Sequence, residues 1–266
     1  MSKRRSGFVF SSLAFGYAFL YIPLASVIIY SFNDSRLATV WGGFSTRWYG
    51  ALWQNDQILD AALLSLQIAV TAATFATILG TMLGLILARF GRFRGRTLLT
   101  GMVVSPLVMP EVITGLSLLL LFVTLHGWIG WPQSRGFSTI AIAHITFAMA
   151  YVTVIVRSRL AAMDQSLEEA AMDLGCRPLR VVFDITLPLI APAMVSGWLL
   201  AFTLSLDDLV ISSFVSGPGG STLPMLIFSK VRLGVTPDIN ALASIVILLV
   251  SVGVILAWSI GRRIQK

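Results

Sequence analysis

Seven stretches of this sequence run for twenty residues or more with at most one charged side chain, and six of them read as membrane spans. About 20 apolar residues are what a helix needs to cross the hydrocarbon core of a bilayer. The spacing places transmembrane helices at about 8–32, 62–88, 98–125, 137–156, 187–206 and 239–260. The first contains Pro23 and the third holds one acid, Glu111. A further uncharged stretch, Leu209–Ser229, is interrupted by Gly217-Pro218-Gly219-Gly220 and by Pro224. It reads as a loop that dips into the membrane or lines a cavity, because those residues break a continuous helix.

Composition agrees with an all-α membrane protein. Apolar residues make up 56% and charged residues 12% of the 266 positions, against roughly 25% charged in soluble domains. The formal net charge of +7 does not signal nucleic-acid binding, because the basic residues form short clusters between apolar runs. A lone cysteine, Cys176, excludes an internal disulfide. The stretch Phe8–Phe32 exceeds a signal-peptide core in length and lacks a cleavage site of small residues, so it reads as a retained span.

Orientation follows from the basic residues. With six spans and an internal N-terminus, Lys3, Arg4, Arg5, Arg89, Arg92, Arg94, Arg96, Arg157, Arg159, Arg177, Arg180, Arg262, Arg263 and Lys266 fall inside. Arg36, Arg47, Arg135, Lys230 and Arg232 remain outside. Both termini are therefore expected in the cytoplasm, the arrangement the positive-inside rule favours. Ala72, Ala76, Gly80, Gly84 and Ala88 recur along one face of the second span. Small side chains there permit close helix packing, within this subunit or against another.

The connection between the fourth and fifth spans, residues 164–180, carries the densest cluster of acids. Ser166-x-x-Glu169 has the form of a capping box. Gly175 is a left-handed stop and Pro178 suits the first turn of a second short helix. Ala170 and Ala171 would leave a low-relief face for a partner. Composition alone would also permit a simple solvated connector.

Glu169-Ala170-Ala171, then Gly175, and nine residues later Ile185-Thr186-Leu187-Pro188 resemble the EAA signature of binding-protein-dependent ABC importer permeases. The resemblance implies the type I importer permease fold. It also implies a coupling helix from Ser166 to Gly175 that docks on a separate ATP-hydrolysing subunit, with Ser166, Glu169, Ala170, Ala171, Gly175, Leu187 and Pro188 at the coupling region. The three lysines, Lys3, Lys230 and Lys266, lie outside any G-x-x-x-x-G-K-[ST] loop. No cofactor is expected in this chain; ATP and magnesium would be bound by the partner.

Other stretches resemble the permeases of putrescine and spermidine importers, closest to the second permease of a putrescine system. They are Tyr30-Ser31-Phe32-Asn33, Trp41-x-Gly43-Phe44-Ser45-Thr46-Arg47-Trp48-Tyr49, Pro106-Leu107-Val108-Met109-Pro110-Glu111, Ala201–Asp208 and Gly234–Ala243. The implied partners are a second homologous permease, two ATP-binding subunits and a periplasmic polyamine-binding protein, in a bacterial inner membrane. A polyamine path needs carboxylates and aromatic faces. Glu111, Asp207 and Asp208 are the candidates. An alternative for Glu111 is stabilisation of a helix restarted after Pro110. Asp207 and Asp208 fall at a helix end, where charges cost little.

Trp41, Phe44, Trp48, Tyr49 and Trp53 are equally explained by an interfacial aromatic belt. His144 reads as a helix–helix hydrogen bonder rather than a proton relay. An importer of another small solute is an alternative, and a secondary transporter a weaker one because no inverted repeat is evident. An intramembrane enzyme lacks a G-x-S-x-G or H-E-x-x-H anchor.

Overall fold

The computed structural model describes residues 3–37, 40–234 and 236–264, with side chains placed for 8–37, 40–234 and 236–252. Lys266 and Val235 lie outside the described residues. The elements are helices α1 (Lys3–Ser31), α2 (Arg47–Trp53), α3 (Asp56–Arg89), α4 (Arg96–Val108), α5 (Glu111–Ile129) and α6 (Phe137–Ala161). Then come α7 (Ser166–Asp173), α8 (Pro178–Val181), a π-helical turn (Val182–Thr186), α9 (Leu187–Leu206), α10 (Val210–Val215), α11 (Leu223–Leu233) and α12 (Pro237–Ile264). Two compact units result, one of Met1–Leu59 with Ile227–Lys266, the other of Asp60–Leu226.

Among the described residues, five helices are long and apolar enough to cross a membrane: Phe8–Ser31, Asp56–Arg89, Glu111–Ile129, Phe137–Ala161 and Pro178–Leu206. The expected last span lies in α12, whose apolar described part is Pro237–Val252. The expected third span is two helices. Pro110 has no N–H and disfavours helical geometry in the residue before it, and Met109 is accordingly extended at φ −72°, ψ 134°. The chain restarts at Glu111 with Pro110 as N-cap. The fifth long helix begins at Pro178, earlier than residue 187, because α8 and the π turn run directly into α9.

In the first unit α12 packs on α1 and α2. The connection between α1 and α2 closes on the buried side chain of Asn33. Its Oδ1 accepts from Gly42 N at 2.8 Å, and its Nδ2 donates to Val40 O at 2.7 Å. Trp48 Nε1 donates to the Asn33 carbonyl at 2.7 Å, and Phe32 stacks on Phe44 with centroids 5.3 Å apart. The aromatic motifs on either side of this connection therefore pack on each other, while Trp53 stays exposed.

The second unit is built on α6, whose Ile140, Ala143, Val152, Val156 and Leu160 are buried. A Cβ added at Gly80 would meet Met149 O at 2.9 Å and Val152 Cβ at 2.8 Å; one at Gly84 would meet Val156 Cγ1 at 2.9 Å. The small-residue stripe at these glycines thus serves packing within this chain, where close backbone approach replaces the hydrophobic drive. Helix α5 meets α10 in the same way: a Cβ at Gly115 would come within 2.8 Å of the Phe214 ring. The stretch from Leu209 to Ser229 is interrupted at its glycines as expected, but it is not a loop throughout: α10 and the start of α11 flank a short loop. Gly217 lets that loop lie against Arg135, whose carbonyl would be 2.8 Å from an added Cβ.

Candidate functional site

Helix α7 starts differently from the expected capping box. Ser166 is the first helical residue, Gln165 occupies the cap position without a side-chain bond, and Asp164 Oδ1 accepts from Ser166 N at 3.0 Å. The Glu169 amide bonds the Gln165 carbonyl at 3.1 Å, so no serine side chain is needed there. Aspartate two residues upstream does the capping because its carboxylate reaches forward onto the backbone. Hydrogen bonds from the Ser166 backbone, then its hydroxyl, hold the Asp164 carboxyl below its ordinary value.

The C-terminal stop is as expected. Gly175 has φ +87°. Its N–H donates to Met172 O at 2.9 Å, and Cys176 N donates to Ala171 O at 3.0 Å. This pair of bonds is the Schellman closure. Arg177 is extended at ψ 143° before Pro178, which opens α8.

The faces of α7 divide sharply. Ser166, Glu169 and Ala170 are exposed, while Glu168 and Ala171 are buried. The low-relief outer surface expected from both alanines therefore rests on Ala170; Ala171 faces inward, one helical turn from Glu168. Leu187 is partly buried against the α6 core, and Pro188 is exposed in the first turn of α9.

Sequence reasoning missed Glu168. Its Oε2 lies 2.7 Å from Arg89 Nε, with side-chain exposures of 12% and 17%. Its Oε1 accepts from Thr186 Oγ1 at 2.8 Å. Arg89 Nη1 also donates to Leu160 O at 3.3 Å. The last residue of α3, the end of α6, helix α7 and the π turn thus meet at one ion pair. Nothing in the sequence set it apart from Glu169, since neighbours about 100° apart can both face solvent, as Glu169 and Ala170 do.

The three expected path carboxylates are placed differently from one another. Glu111 is exposed in the first turn of α5, at the positive end of that helix. Asp207 is exposed at the C-terminal cap of α9, where the helix end repels an acid. Neither forms an ion pair among the described residues. Asp208 is engaged: Oδ2 accepts from Ser212 N and Ser212 Oγ, each at 2.7 Å, and lies 3.1 Å from His144 Nε2. His144 Nδ1 is 2.6 Å from Ser205 Oγ. Asp208 caps α10 and, through His144, joins it to α6, which bears out the hydrogen-bonding reading of His144.

The sequence profile described as "Binding-protein-dependent transport system inner membrane component" matches residues 80–266. The chain belongs to this family. The putrescine transport system permease protein PotI of Escherichia coli strain K12 is 59% identical to this permease over 254 residues, 96% of this chain and 90% of that protein. The spermidine/putrescine transport system permease protein PotC of the same strain is 44% identical over 250 residues, 94% of this chain and 92% of that protein. A solved bacterial alginate ABC transporter, in complex with a pentasaccharide-bound periplasmic protein, superposes with a TM-score of 0.76. It is 18% identical and covers 98% of this chain and 94% of that one. The permease therefore has the type I ABC importer permease fold and is a multi-pass membrane protein of a transport system. The matched region includes Arg89, α7 and α9.

Proposed function

We propose that this permease carries putrescine, spermidine or both from periplasm to cytoplasm, in an ATP-driven importer of the bacterial inner membrane. The observation that carries the substrate is the 59% identity to a putrescine permease across nearly the whole chain. In this reading both termini are cytoplasmic. The chain pairs with a second homologous permease, two ATP-binding subunits and a periplasmic polyamine-binding protein. ATP and magnesium bind the partner, and this chain performs no hydrolysis.

The exposed side of α7, with Ser166, Glu169 and Ala170, is the docking face for the ATP-binding subunit. Ala171, Gly175, Leu187 and Pro188 set its angle. Glu111, Asp207 and Asp208 belong to the cation path. Glu111 and Asp207 present free carboxylates to a passing ammonium, whereas Asp208 positions the α9–α10 connection. For Glu111, within the expected third span, a carboxylate at membrane depth would cost about 2.5–3.5 kcal/mol on insertion scales, so a compensating cation is the expected reason for keeping it.

Native mass spectrometry of the mildly solubilised complex tests the assembly. The expected species holds this chain, one second permease and two ATP-binding subunits. A species containing only this chain, under conditions that preserve uptake, contradicts the reading.

A further inference from the structure

The exposed face of α7 accounts for docking, but not for how a movement of α7 reaches the helices that span the membrane. The chain on either side of α7 is a poor transmitter. Residues 162–165 and 174–177 are connections, and the Schellman turn at Gly175 is held only by local bonds. Among the described residues α7 buries two side chains, Ala171 and Glu168, and Glu168 is the one that makes polar contacts with other elements. It reaches α3 through Arg89, 2.7 Å away, and the π turn at the head of α9 through Thr186, 2.8 Å away. Arg89 in turn holds the end of α6 at Leu160 O.

We infer that Arg89, Glu168 and Thr186 form a clamp that transmits movement of the α7 docking helix to α3, α6 and α9. Glu168 and Arg89 are positioning residues, acting through the helices they hold. The inference rests on the proposed role of α7 as the helix that docks on an ATP-hydrolysing subunit.

Three physical features favour transmission over simple stabilisation. Glu168 accepts a directional bond from Thr186 on Oε1, while Arg89 Nε lies 2.7 Å from Oε2 as a charge contact without an aligned hydrogen bond, so the carboxylate is held by one bond and one buried charge. A buried ion pair is a weak source of net stability, since desolvation offsets its attraction, yet separating its partners is costly. The helices it joins therefore move with α7 or not at all. Thr186 also sits in a π turn, a local widening of the helix that recurs at functional positions. The π turn departs from the regular bonding pattern of the helix, so a pull on Thr186 can change the register of the turn.

The test compares Glu168→Gln, Arg89→Met and the double variant in the complete reconstituted importer. The measured quantities are recruitment of the ATP-binding subunit, basal ATP hydrolysis, and stimulation of hydrolysis and uptake by putrescine-loaded binding protein. Glu168→Gln keeps an acceptor for Thr186 but removes the charge facing Arg89. The clamp predicts parental recruitment and basal hydrolysis in the single variants, with stimulation and uptake reduced about tenfold. The double variant leaves no uncompensated charge, so its stability recovers while its coupling stays low.

Parental stimulation in the single variants overturns the clamp. So does restored coupling in the double variant, which would assign the pair to fold stability alone. A parental chain that recruits no ATP-hydrolysing subunit overturns the underlying role of α7 as well, and is distinguished by failing before any variant is compared.

Discussion

His144 Nε2 lies 3.1 Å from Asp208 Oδ2, and both side chains are almost fully buried, at 3% and 9% exposure. The tautomer with its proton on Nε2 suits every neighbour. His144 then donates to Asp208 and accepts from Ser205 on Nδ1. One carboxylate therefore organises the start of α10, while a second, the neighbouring Asp207, forms no ion pair among the described residues.

That contrast separates two aspartates that look equivalent in sequence. Asp208→Asn should destabilise the permease by about 1–3 kcal/mol, because a buried donor loses its acceptor. Asp207→Asn should leave stability unchanged and lower uptake. Thermal unfolding in detergent, beside uptake at matched membrane levels, checks both. Equal melting shifts for the two variants would contradict the assignment.

Glu111→Gln retains size and removes charge. Uptake of labelled putrescine should fall while expression, α7 docking and basal ATP hydrolysis survive. Parental uptake across substrate concentrations would make Glu111 a first-turn stabiliser of α5 and nothing more.

At Gly80 the packing leaves no room for a side chain. Gly80→Val should cost about 1–3 kcal/mol through overpacking and reduce the yield of folded permease. Gly91→Val provides the contrast, since nothing lies within 4 Å of a Cβ there. Size-exclusion profiles of the two variants after mild solubilisation compare them directly.

Gly175→Val meets no neighbour within 4 Å, so its effect is confined to backbone strain at φ +87°, about 1–2 kcal/mol. The variant should insert normally and recruit the ATP-binding subunit poorly. Parental recruitment would sever the turn at Gly175 from docking.

The pH response of α7 follows from Asp164. Its carboxyl is held below the ordinary value of 3.8. The cap therefore contributes fully above that value and is lost only as pH falls through the lowered one. Amide exchange in the first turn of α7 should show no loss of the cap from neutral to mildly acidic pH, once intrinsic exchange is corrected, and Asp164→Ala should speed it throughout.

Much of the fold was legible because charge-free length is a direct consequence of bilayer thickness. Gly175 was legible for a similar reason, since a left-handed stop has few chemical solutions. The break at Met109–Pro110 was visible in the proline, but hydropathy is blind to backbone geometry and joined the two helices. At the start of α7, Asp164 and Ser166 are both cap formers two positions apart, and local chemistry does not choose between them. Glu168 was hidden for a deeper reason: its inward direction is set by Arg89 and Thr186, which only the tertiary fold brings near.

The central claim is most directly tested by ATP-dependent accumulation of labelled putrescine in proteoliposomes. These would contain the permease, its second permease and the ATP-binding subunits, with the binding protein and substrate supplied on the face that corresponds to the periplasm and ATP on the opposite face. The account predicts polyamine accumulation that requires every component and ATP and is absent with this chain alone. Putrescine uptake by the single chain, or a complete complex that hydrolyses ATP but accumulates no polyamine, would contradict it.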